Sequence, residues 1–511
     1  MTNSLNNTPH IIIVGGGTAG WMAAAMLSHH MTPQQCRVTI VDSNEGGIGV
    51  GEATIPSILR LLRTLRADEA EFMRSCGATW KLGIQFANWL RPEHDFWHPF
   101  GVCGAVIDGG DLFPFWLANA QQSEEATRPY HAYSLHWAAM LAGKTPHSAA
   151  ETLSPITSTG SYAFHLDAIK LAEWLKSRAL AAGVQHIADR VVSCERNEAG
   201  DIISVQLDND GTQPGDFFVD CSGFQSVLAQ GDDWIDWSDQ LLCDRAVALS
   251  LPPRAVIPSH TKASALSAGW CWDIPLMTRR GLGYVYSSRH LSADDAAVEL
   301  RSFAKVRDND DVAIRQLSMK VGRREQIWKG NVLSLGLAAG FTEPLESTGL
   351  HLIQVGLEQW LKLFPAQPIS PVLQDAYNTR MTRIFDEVRD FVQLHYHLNQ
   401  RSVDDDPHGF WQASRDAEIS DQQKHRLKLY DEIGRLPAFD TEAFGDANYY
   451  FILSDNDRLP RRPTATAIAA GGERITFVLQ AILDQNRNAL RDLPLHEDRL
   501  KQVHDIVAKA S

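Results

Sequence analysis

Positive charge, long hydrophobic runs and paired cysteines are all scarce in this sequence. The 511 residues carry 47 Lys and Arg against 62 Asp and Glu, a net charge of -15, which argues against a general nucleic-acid binder and against binding to anionic membranes. The apolar run from Ile11 to Leu27 is interrupted by glycines, so it predicts a strand and a turn and not a membrane span.

The cysteine and histidine patterns exclude two further classes of site. Seven cysteines are scattered without a CxxC pair, which is typical of free thiols in a reducing compartment. The first basic side chain is Arg37, so the basic region of a secretory signal is lacking and we expect a cytoplasmic protein. There is no HExxH motif, and His395 and His397 point to different sides of a predicted helix, so we expect no metal site.

The hydrophobic pattern indicates an α/β fold followed by helices. Ile11–Val14 is a continuous apolar run, as in the buried strands of parallel sheets. Residues 161–225 contain a predicted helix over 166–182 and several short strands, whereas residues 100–150 have weak periodicity and resemble an insertion. Beyond residue 372 apolar side chains recur every three or four positions, which predicts helices.

A glycine-rich turn after the first strand predicts a dinucleotide site. Gly15, Gly17 and Gly20 form a GxGxxG pattern, and Asp42 ends the next predicted strand. Such glycines let the backbone approach a pyrophosphate at a helix N-terminus, and the acid accepts hydrogen bonds from a ribose. A glycine-rich turn without a ligand is the alternative. Asp42 favours FAD or NAD over NADP, because a carboxylate repels a 2′-phosphate.

A second segment favours FAD. Residues 331–349 read as an apolar strand, small residues and the start of a helix. In flavoproteins such a turn approaches the ribityl chain and the isoalloxazine ring, and its helix N-terminus can face a bound anion.

Taken together, five stretches resemble the flavin-dependent tryptophan halogenases. They are GGGTAGW (15–21), GVGEATIP (49–56), WKLGIQFANW (80–89), GWCWDIP (269–275) and FTEPLESTG (341–349). The signature that distinguishes these halogenases from flavin monooxygenases is Trp270-x-Trp272-x-Ile274-Pro275.

The resemblance implies a fold and a reaction. The expected fold is α/β, with an FAD-binding Rossmann-like module of the flavin monooxygenase type (residues 8–100 and 150–362) and a mainly α-helical substrate-binding portion (101–149 and 363–511). FADH2 from a separate NADH-dependent flavin reductase would react with O2, and chloride or bromide would be oxidised to hypohalous acid. The acid would then halogenate tryptophan or another indole. A homodimer is the family's usual state.

The resemblance also assigns catalytic and halide-binding residues. Lys81 would polarise the hypohalous acid or trap it as a haloamine, although a lone lysine is more often a solvated side chain. Glu346 would stabilise positive charge on the indole and accept its proton, whereas helix capping is the plainer reading of this segment. Thr348 and Gly349 match the halide site.

Further residues are assigned to the substrate and the cofactor. His98 and Phe100 match a pair that sandwiches the indole, and Ser347, Tyr449 and Tyr450 complete the expected substrate contacts. The stretch 451–462 departs from tryptophan specialists, which leaves free indole or a larger indole compound open. The expected cofactor contacts are Gly15, Gly16, Gly17, Thr18, Ala19, Gly20, Asp42, Ala53, Val191, Leu337 and Leu350.

Two other functions compete with a halogenase. An FAD-dependent aromatic monooxygenase of the same fold would not need Lys81 or the pair Trp270 and Trp272. A non-catalytic FAD-binding protein would need neither Lys81 nor Glu346. Tryptophan is unusually frequent, with 14 Trp against 10 Tyr; Trp270 and Trp272 are predicted to keep substrate away from the flavin.

Overall fold

The chain forms two compact units whose segments alternate along the sequence. The computed structural model describes residues 8–43, 52–107, 110–122, 127–147, 161–229, 233–307, 310–364, 369–439 and 443–505. The first unit takes its residues from Met1–Ala78, Leu166–Ser238 and Met319–Asp386, and the second from Thr79–His165, Asp239–Ser318 and Glu387–Ser511. Gly49, Val50 and Gly51 of the second motif lie outside the described residues.

Short strands and helices of varied length make up both units. The strands are β1 (His10–Val14), β2 (Arg37–Val41), β3 (Glu52–Ala53), β4 (Thr79–Lys81), β5 (Gly83–Ala87), β6 (Asp95–Pro99), β7 (Ala163–Leu166), β8 (Gln185–Ile187), β9 (Val191–Arg196), β10 (Ile202–Leu207), β11 (Thr212–Pro214), β12 (Phe217–Asp220), β13 (Trp234–Asp236), β14 (Arg245–Leu251), β15 (Thr261–Leu266), β16 (Gly269–Pro275), β17 (Arg280–Tyr286), β18 (Arg315–Ser318), β19 (Gly322–Arg324), β20 (Trp328–Lys329), β21 (Val332–Ser334) and β22 (Gly340–Phe341). The helices are α1 (Thr18–His30), α2 (Ile58–Thr64), α3 (Glu69–Cys76), α4 (Leu112–Gln122), α5 (Leu135–Leu141), α6 (Ala168–Ala181), α7 (Ala293–Ala304), α8 (Gly349–Leu363), α9 (Pro371–His397), α10 (Phe410–Asp416), α11 (Asp421–Ile433), α12 (Asp446–Asp455), α13 (Ala465–Ala469), α14 (Gly472–Asp492) and α15 (His496–Asp505).

The first unit is built on a six-stranded sheet in the order β20-β21-β12-β1-β2-β8. From β21 to β8 the neighbouring strands run parallel. The residues of β1 are all buried, as the apolar run predicted. The alanine-rich helix α1 is buried from Gly20 to Leu27 and packs against α6 and α8. The predicted α/β class is confirmed, and the predicted helix over 166–182 corresponds to α6.

The second unit contains a large sheet that the sequence patterns did not reveal. Its seven strands follow the order β18-β14-β17-β16-β15-β5-β6. Every neighbouring pair is antiparallel except β15 and β5. Strand β16, which carries the Trp270-x-Trp272 signature, lies inside this sheet and is buried along its whole length.

Beyond residue 372 the second unit is helical, in agreement with the periodicity of this region. The region 100–150 contains α4 and α5, although its periodicity was weak. A short 3-10 helix at Val403–Asp405 follows α9. Within the described ranges, no helix is long and apolar enough to cross a membrane. The assignment of cofactor and substrate to separate portions of the chain stays a prediction.

Candidate active site

The glycine turn lies where the strand order of the first sheet reverses. The chain passes from β1 to β2 on one side, and β12 and β21 lie on the other side. In such sheets, ligands bind outside the carboxyl ends of the strands at this reversal. Gly15 follows β1 with φ of +106°, and a Cβ there would come within 2.4 Å of the Cys221 carbonyl oxygen. Only glycine fits this close approach.

Asp42 approaches the same turn. A Cβ on Gly16 would lie 1.9 Å from the Asp42 carboxylate carbon, so the carboxylate packs directly on the backbone of the turn. Glycine at position 16 therefore leaves room for the Asp42 carboxylate, although this is a variable position in the GxGxxG pattern. A Cβ on Gly20 would meet the Gly15 carbonyl oxygen at 1.8 Å, which explains the third glycine.

The N-terminus of α1 has the features of a pyrophosphate site. Its N-cap residue is Gly17, which provides no side-chain cap, so the N–H groups of the first turn, at Thr18, Ala19 and Gly20, can bind an external anion. A Cβ on Gly17 would meet no heavy atom of the described residues within 4 Å. This open space beside free helix N–H groups fits a dinucleotide.

A second turn of the first unit reaches the same helix. The 3-10 helix Gly336–Ala338 follows β21 and contains Leu337. Gly336 has φ of +61°, and a Cβ there would lie 2.9 Å from the Ala19 Cβ. The predicted turn of residues 331–349 therefore lies against the first turn of α1. Leu350 is in the first turn of α8.

The remaining predicted cofactor residues are placed differently. Val191 begins β9 and belongs to a hydrophobic cluster with Val14 and Val41, close to the carboxyl ends of β1 and β2. Ala53 is in the two-residue strand β3. The cofactor roles of Val191 and Ala53 stay predictions.

A third turn at this edge was missed by the sequence reasoning. Asp220 ends β12 and is buried, and its Oδ1 accepts hydrogen bonds from the Ser222 N–H and hydroxyl at 3.0 and 2.6 Å. Burial raises the pKa of Asp220, while these hydrogen bonds oppose that rise. Gly223 has φ of +71° and open space beside its Cα. A strand-ending Asp followed by Ser-Gly was the available signal.

The segment from Glu343 to Thr348 leads into α8, which begins at Gly349. Glu346 ends a 3-10 helix and is fully buried, and Ser347 has φ of +60°, which is uncommon for a residue other than glycine. Thr348 is the N-cap of α8 but makes no side-chain capping bond; its hydroxyl lies 3.4 Å from that of Thr342. Beside Gly349, a Cβ would meet none of the described atoms within 4 Å.

In the second unit, Lys81 is buried at the end of β4. Its Nζ lies over the Phe100 ring, 5.2 Å from the centroid. The contact follows from the β5–β6 hairpin: the Phe100 N–H donates to the Leu82 carbonyl oxygen at 2.8 Å, which holds Phe100 beside the lysine strand. A Cβ on Gly83 would lie 2.6 Å from the His98 carbonyl oxygen, so glycine permits this close pairing.

A chain of hydrogen bonds anchors the lysine strand to the end of the tryptophan signature. The Thr79 hydroxyl donates to the Pro275 carbonyl oxygen at 2.9 Å, so it accepts from His165 Nδ1 at 3.2 Å. His165 Nε2 then accepts from the Thr261 hydroxyl at 2.9 Å. Burial, and then the charge of Lys81, hold the pKa of His165 well below its usual value, so the imidazole is neutral.

His98 and Tyr449 join an aromatic cluster that continues from Phe100. The His98 ring lies 6.2 Å from the Phe100 ring and 5.6 Å from that of Phe391. Phe391 stacks on Phe444 at 3.9 Å and contacts Tyr449 at 4.9 Å. Lys81 therefore borders a continuous set of aromatic rings within one unit, as required for holding a flat aromatic substrate.

A family model described as "Tryptophan halogenase" matches residues 10–471. The tryptophan 6-halogenase SttH of Streptomyces toxytricini is 34% identical over 519 aligned residues, which cover 96% of this chain and 97% of the relative. The tryptophan 7-halogenase RebH of Lentzea aerocolonigenes is 33% identical, with 97% and 98% covered.

The chain belongs to the tryptophan halogenase family. Among solved structures, the flavin-dependent halogenase BrvH from Brevundimonas sp. BAL3 has a TM-score of 0.89 and 34% identity, with 97% of this chain and 99% of that chain covered. The prediction of a flavin-dependent halogenase is confirmed, and the monooxygenase alternative is not supported. Membership in this family implies FAD as the cofactor, which fits the glycine turn.

The halogenase signature lies in strand β16. Trp270 and Trp272 are buried in β16 with ring centroids 6.2 Å apart. Trp272 pairs with Gly283 across the sheet, and a Cβ on Gly283 would lie 1.9 Å from the Trp272 ring. Ile274 and Pro275 end the strand, and the Pro275 carbonyl oxygen accepts the hydrogen bond from the Thr79 hydroxyl.

The two tyrosines that were predicted as a pair lie in different aromatic clusters of the halogenase. Tyr449 faces Phe391, whereas Tyr450 stacks on Phe113 at 4.1 Å. Adjacent helix residues point about 100° apart, so one helix places them in different clusters. Phe391 and Phe444 were not predicted as site residues. Phe391 lies in α9, within the region that the apolar periodicity predicts to be helical.

Proposed function

We propose that this enzyme halogenates the aromatic ring of tryptophan or another indole, with FADH2, O2 and chloride or bromide as co-reactants. The observation that carries the proposal is the buried Lys81 ammonium on the face of Phe100, at one end of the aromatic cluster of His98, Phe100, Phe391, Phe444 and Tyr449. This arrangement combines a donor for hypohalous acid with aromatic side chains of the kind that pack on a flat, electron-rich ring.

The first unit supplies the proposed cofactor site. When bound, reduced FAD reduces O2 and thereby provides the oxidising power that converts halide to hypohalous acid. The N–H groups at Thr18, Ala19 and Gly20 would bind the pyrophosphate, and Asp42 would accept from the adenosine ribose. The turns at Leu337 and at Asp220 to Gly223 would border the rest of the cofactor.

Lys81 would position the electrophilic halogen. An ammonium donates hydrogen bonds to hypohalous acid, and a neutral amine forms a haloamine; both deliver the halogen from the same atom. The Thr79 and His165 anchor fixes the strand that carries Lys81, so the long side chain starts from a rigid backbone.

Glu346, Ser347, Thr348 and Gly349 have proposed roles that rest on the family motif. Glu346 would stabilise the positive charge that develops on the indole and take up the proton that leaves the ring. The amide of Gly349 and the hydroxyl of Thr348 lie at a helix N-terminus beside open space, as a small anion site requires.

The substrate portion favours recognition of the ring over recognition of an amino-acid group. Arg426, fully buried, donates to the Tyr449 hydroxyl at 3.1 Å and lies 5.1 Å from its ring centroid. Its charge faces the buried Glu387 at 3.8 Å. Arg426 therefore orients Tyr449, and the stretch 451–462 lacks the expected features of tryptophan specialists. Free indole is accordingly included as a substrate.

The proposed setting is the cytoplasm, with a separate NADH-dependent flavin reductase as partner. All seven cysteines are free thiols, six of them buried, as is typical of a reducing compartment. A homodimer stays a prediction, for which size-exclusion chromatography with light scattering is the direct measurement.

The deciding assay combines purified protein, FAD, a flavin reductase, NADH and either chloride or bromide. Indole and tryptophan are offered separately, and products are identified by mass spectrometry. We expect a monohalogenated indole ring in at least one reaction. A hydroxylated product without halogen would refute the proposal.

Lys81→Ala separates halogenation from flavin chemistry. We expect loss of halogenated product while FADH2 oxidation continues, because Lys81 is not among the residues proposed to bind the cofactor. Lys424→Ala removes an exposed lysine that pairs with Glu418 and serves as the matched control. Product formation by Lys81→Ala at the control rate would remove Lys81 from the mechanism.

A further inference from the structure

The side chain of Asn448 connects two parts of the proposed substrate site. Asn448 lies in the first turn of α12, and its Oδ1 accepts the N–H of Gly445 at 2.8 Å. Its Nδ2 lies 2.7 Å from Nε2 of His98. Both contacts belong to the second unit, and His98 is fully buried.

These two contacts determine which nitrogen of His98 carries the proton. A backbone N–H can only donate, so the oxygen of the Asn448 amide must face Gly445 and its NH2 group must face His98. An amide NH2 group can only donate, so Nε2 of His98 accepts. The neutral imidazole therefore carries its proton on Nδ1, and the lone pair on Nε2 is engaged by Asn448.

This assignment matters because His98 and the proposed halogen donor, Lys81, lie beside the same Phe100 ring. The His98 ring is 6.2 Å from the Phe100 ring, and Lys81 Nζ is 5.2 Å from the same ring. The unprotonated nitrogen of an imidazole is a nucleophile. Its lone pair can attack the halogen of hypohalous acid, so that an N–halogen bond forms and the oxygen–halogen bond breaks. The released hydroxide takes the Nδ1 proton and leaves as water.

We propose that Asn448 protects His98 from self-halogenation by occupying the nucleophilic lone pair of Nε2 with an N–H donor. Asn448 is thereby a positioning residue that keeps the halogen for Lys81 and the substrate. The inference rests on the proposed function, since it needs hypohalous acid near Lys81. A simple helix cap would not explain the contact, because the capping bond to Gly445 uses only the amide oxygen.

The first test follows modification of His98 during turnover without an organic substrate. Wild type, Asn448→Ala and the control Asn119→Ala are supplied with FAD, reductase, NADH and bromide, and His98 is mapped by peptide mass spectrometry. Rates are normalised to O2 consumption. We expect His98 to be modified about fivefold faster or more in Asn448→Ala, the size expected for loss of one buried hydrogen bond. Equal rates in all three proteins would overturn the proposal.

The second test needs no turnover, and its deciding signal is read in the wild-type protein. In wild type labelled with 15N at histidine, the ring nitrogen shifts report which nitrogen is protonated, and the His98 signals are assigned by their loss in His98→Gln. We expect the proton on Nδ1. Asn448→Asp retains an acceptor for Gly445 and should move the proton to Nε2. A proton on Nε2 in wild type would refute the inference.

The two tests also separate this inference from the proposed function. If wild type halogenates neither indole nor tryptophan, the proposed function fails; a proton on Nδ1 would still support the Asn448 assignment, and one on Nε2 would refute it. If wild type forms haloindole and His98 in Asn448→Ala is modified no faster than in wild type, the function stands and the protective role fails.

Discussion

Nζ of Lys81 lies 5.2 Å above the centroid of the Phe100 ring, and both side chains are buried. The negative face of an aromatic ring attracts an ammonium group. Phe100 thus both contacts the proposed substrate cluster and holds the lysine head group in place.

Replacing Phe100 by Leu should weaken this hold while leaving the fold intact. A cation–π contact contributes about 1 kcal/mol, so we expect kcat/KM for halogenation of indole to fall about fivefold. Phe100→Tyr keeps the ring face and is the matched control. If Phe100→Leu retains the activity of Phe100→Tyr, the ring does not position the lysine.

Gly17→Ala should fold normally and bind FAD poorly. A Cβ at Gly17 meets no described atom within 4 Å, and the φ of -72° suits alanine, so stability should be unchanged. The methyl group would occupy the space proposed for the pyrophosphate, so we expect the Kd for FAD to rise about tenfold or more. Flavin fluorescence measures the Kd, and thermal unfolding of the apoprotein checks the fold.

The matched control for this variant is Gly472→Ala, on an exposed helix start with open space beside it. We expect Gly472→Ala to leave the Kd for FAD and the thermal unfolding of the apoprotein unchanged. An unaltered Kd for Gly17→Ala would mean that the pyrophosphate lies elsewhere.

Gly283→Ala should destabilise the second unit. Its Cβ would lie 1.9 Å from the Trp272 ring, so the ring or the strand must move, at a cost of about 1–3 kcal/mol. We expect a lower Tm, measured by differential scanning calorimetry, and a partial recovery in the double variant Gly283→Ala/Trp272→Leu. Additive losses in the double variant would show that the two residues are not coupled.

Stability should decline as pH falls from about 6.5 to about 4. Burial lowers the pKa of His136 and of His496 from 6.5 to about 4, so the unfolded chain takes up these protons first and is favoured over this window. We expect each histidine to account for about 2 kcal/mol of stability lost between pH 7 and pH 5.

Urea unfolding at the two pH values measures this loss. His136→Gln should reduce it, because Gln can still accept from the Ser161 N–H that now donates to His136 Nε2 at 3.2 Å. The exposed His408→Gln is the control. A loss that is the same in His136→Gln and wild type would exclude His136 as a contributor.

The sequence predicted the cofactor end of the fold well, because that end depends on local patterns. The apolar run of β1, the glycines of the turn and Asp42 are all within 33 residues (His10–Asp42), and their spacing reflects backbone contacts that nothing but glycine permits. The turn at Asp220 was missed because its meaning depends on the pairing of β12 with β1, about 200 residues away in the chain.

The substrate cluster was predicted only in part for a similar reason. His98 and Phe100 were identified by their motif. Phe391 lies in α9 and Phe444 in the loop before α12, so their place in the cluster depends on tertiary packing. The separation of Tyr449 from Tyr450 also depends on which elements cover each face of α12. Strands β16 and β17 were not predicted from periodicity because they are buried on both sides and lack clear alternation.

The hydrogen bond from Thr79 to the Pro275 carbonyl has a consequence for protein engineering. It joins the lysine strand to the tryptophan signature, although Thr79 and Pro275 are 196 positions apart in the chain. If the lysine motif is moved into another flavoprotein scaffold without the proline-ended strand, the reactive amine loses the hydrogen bond that anchors its strand.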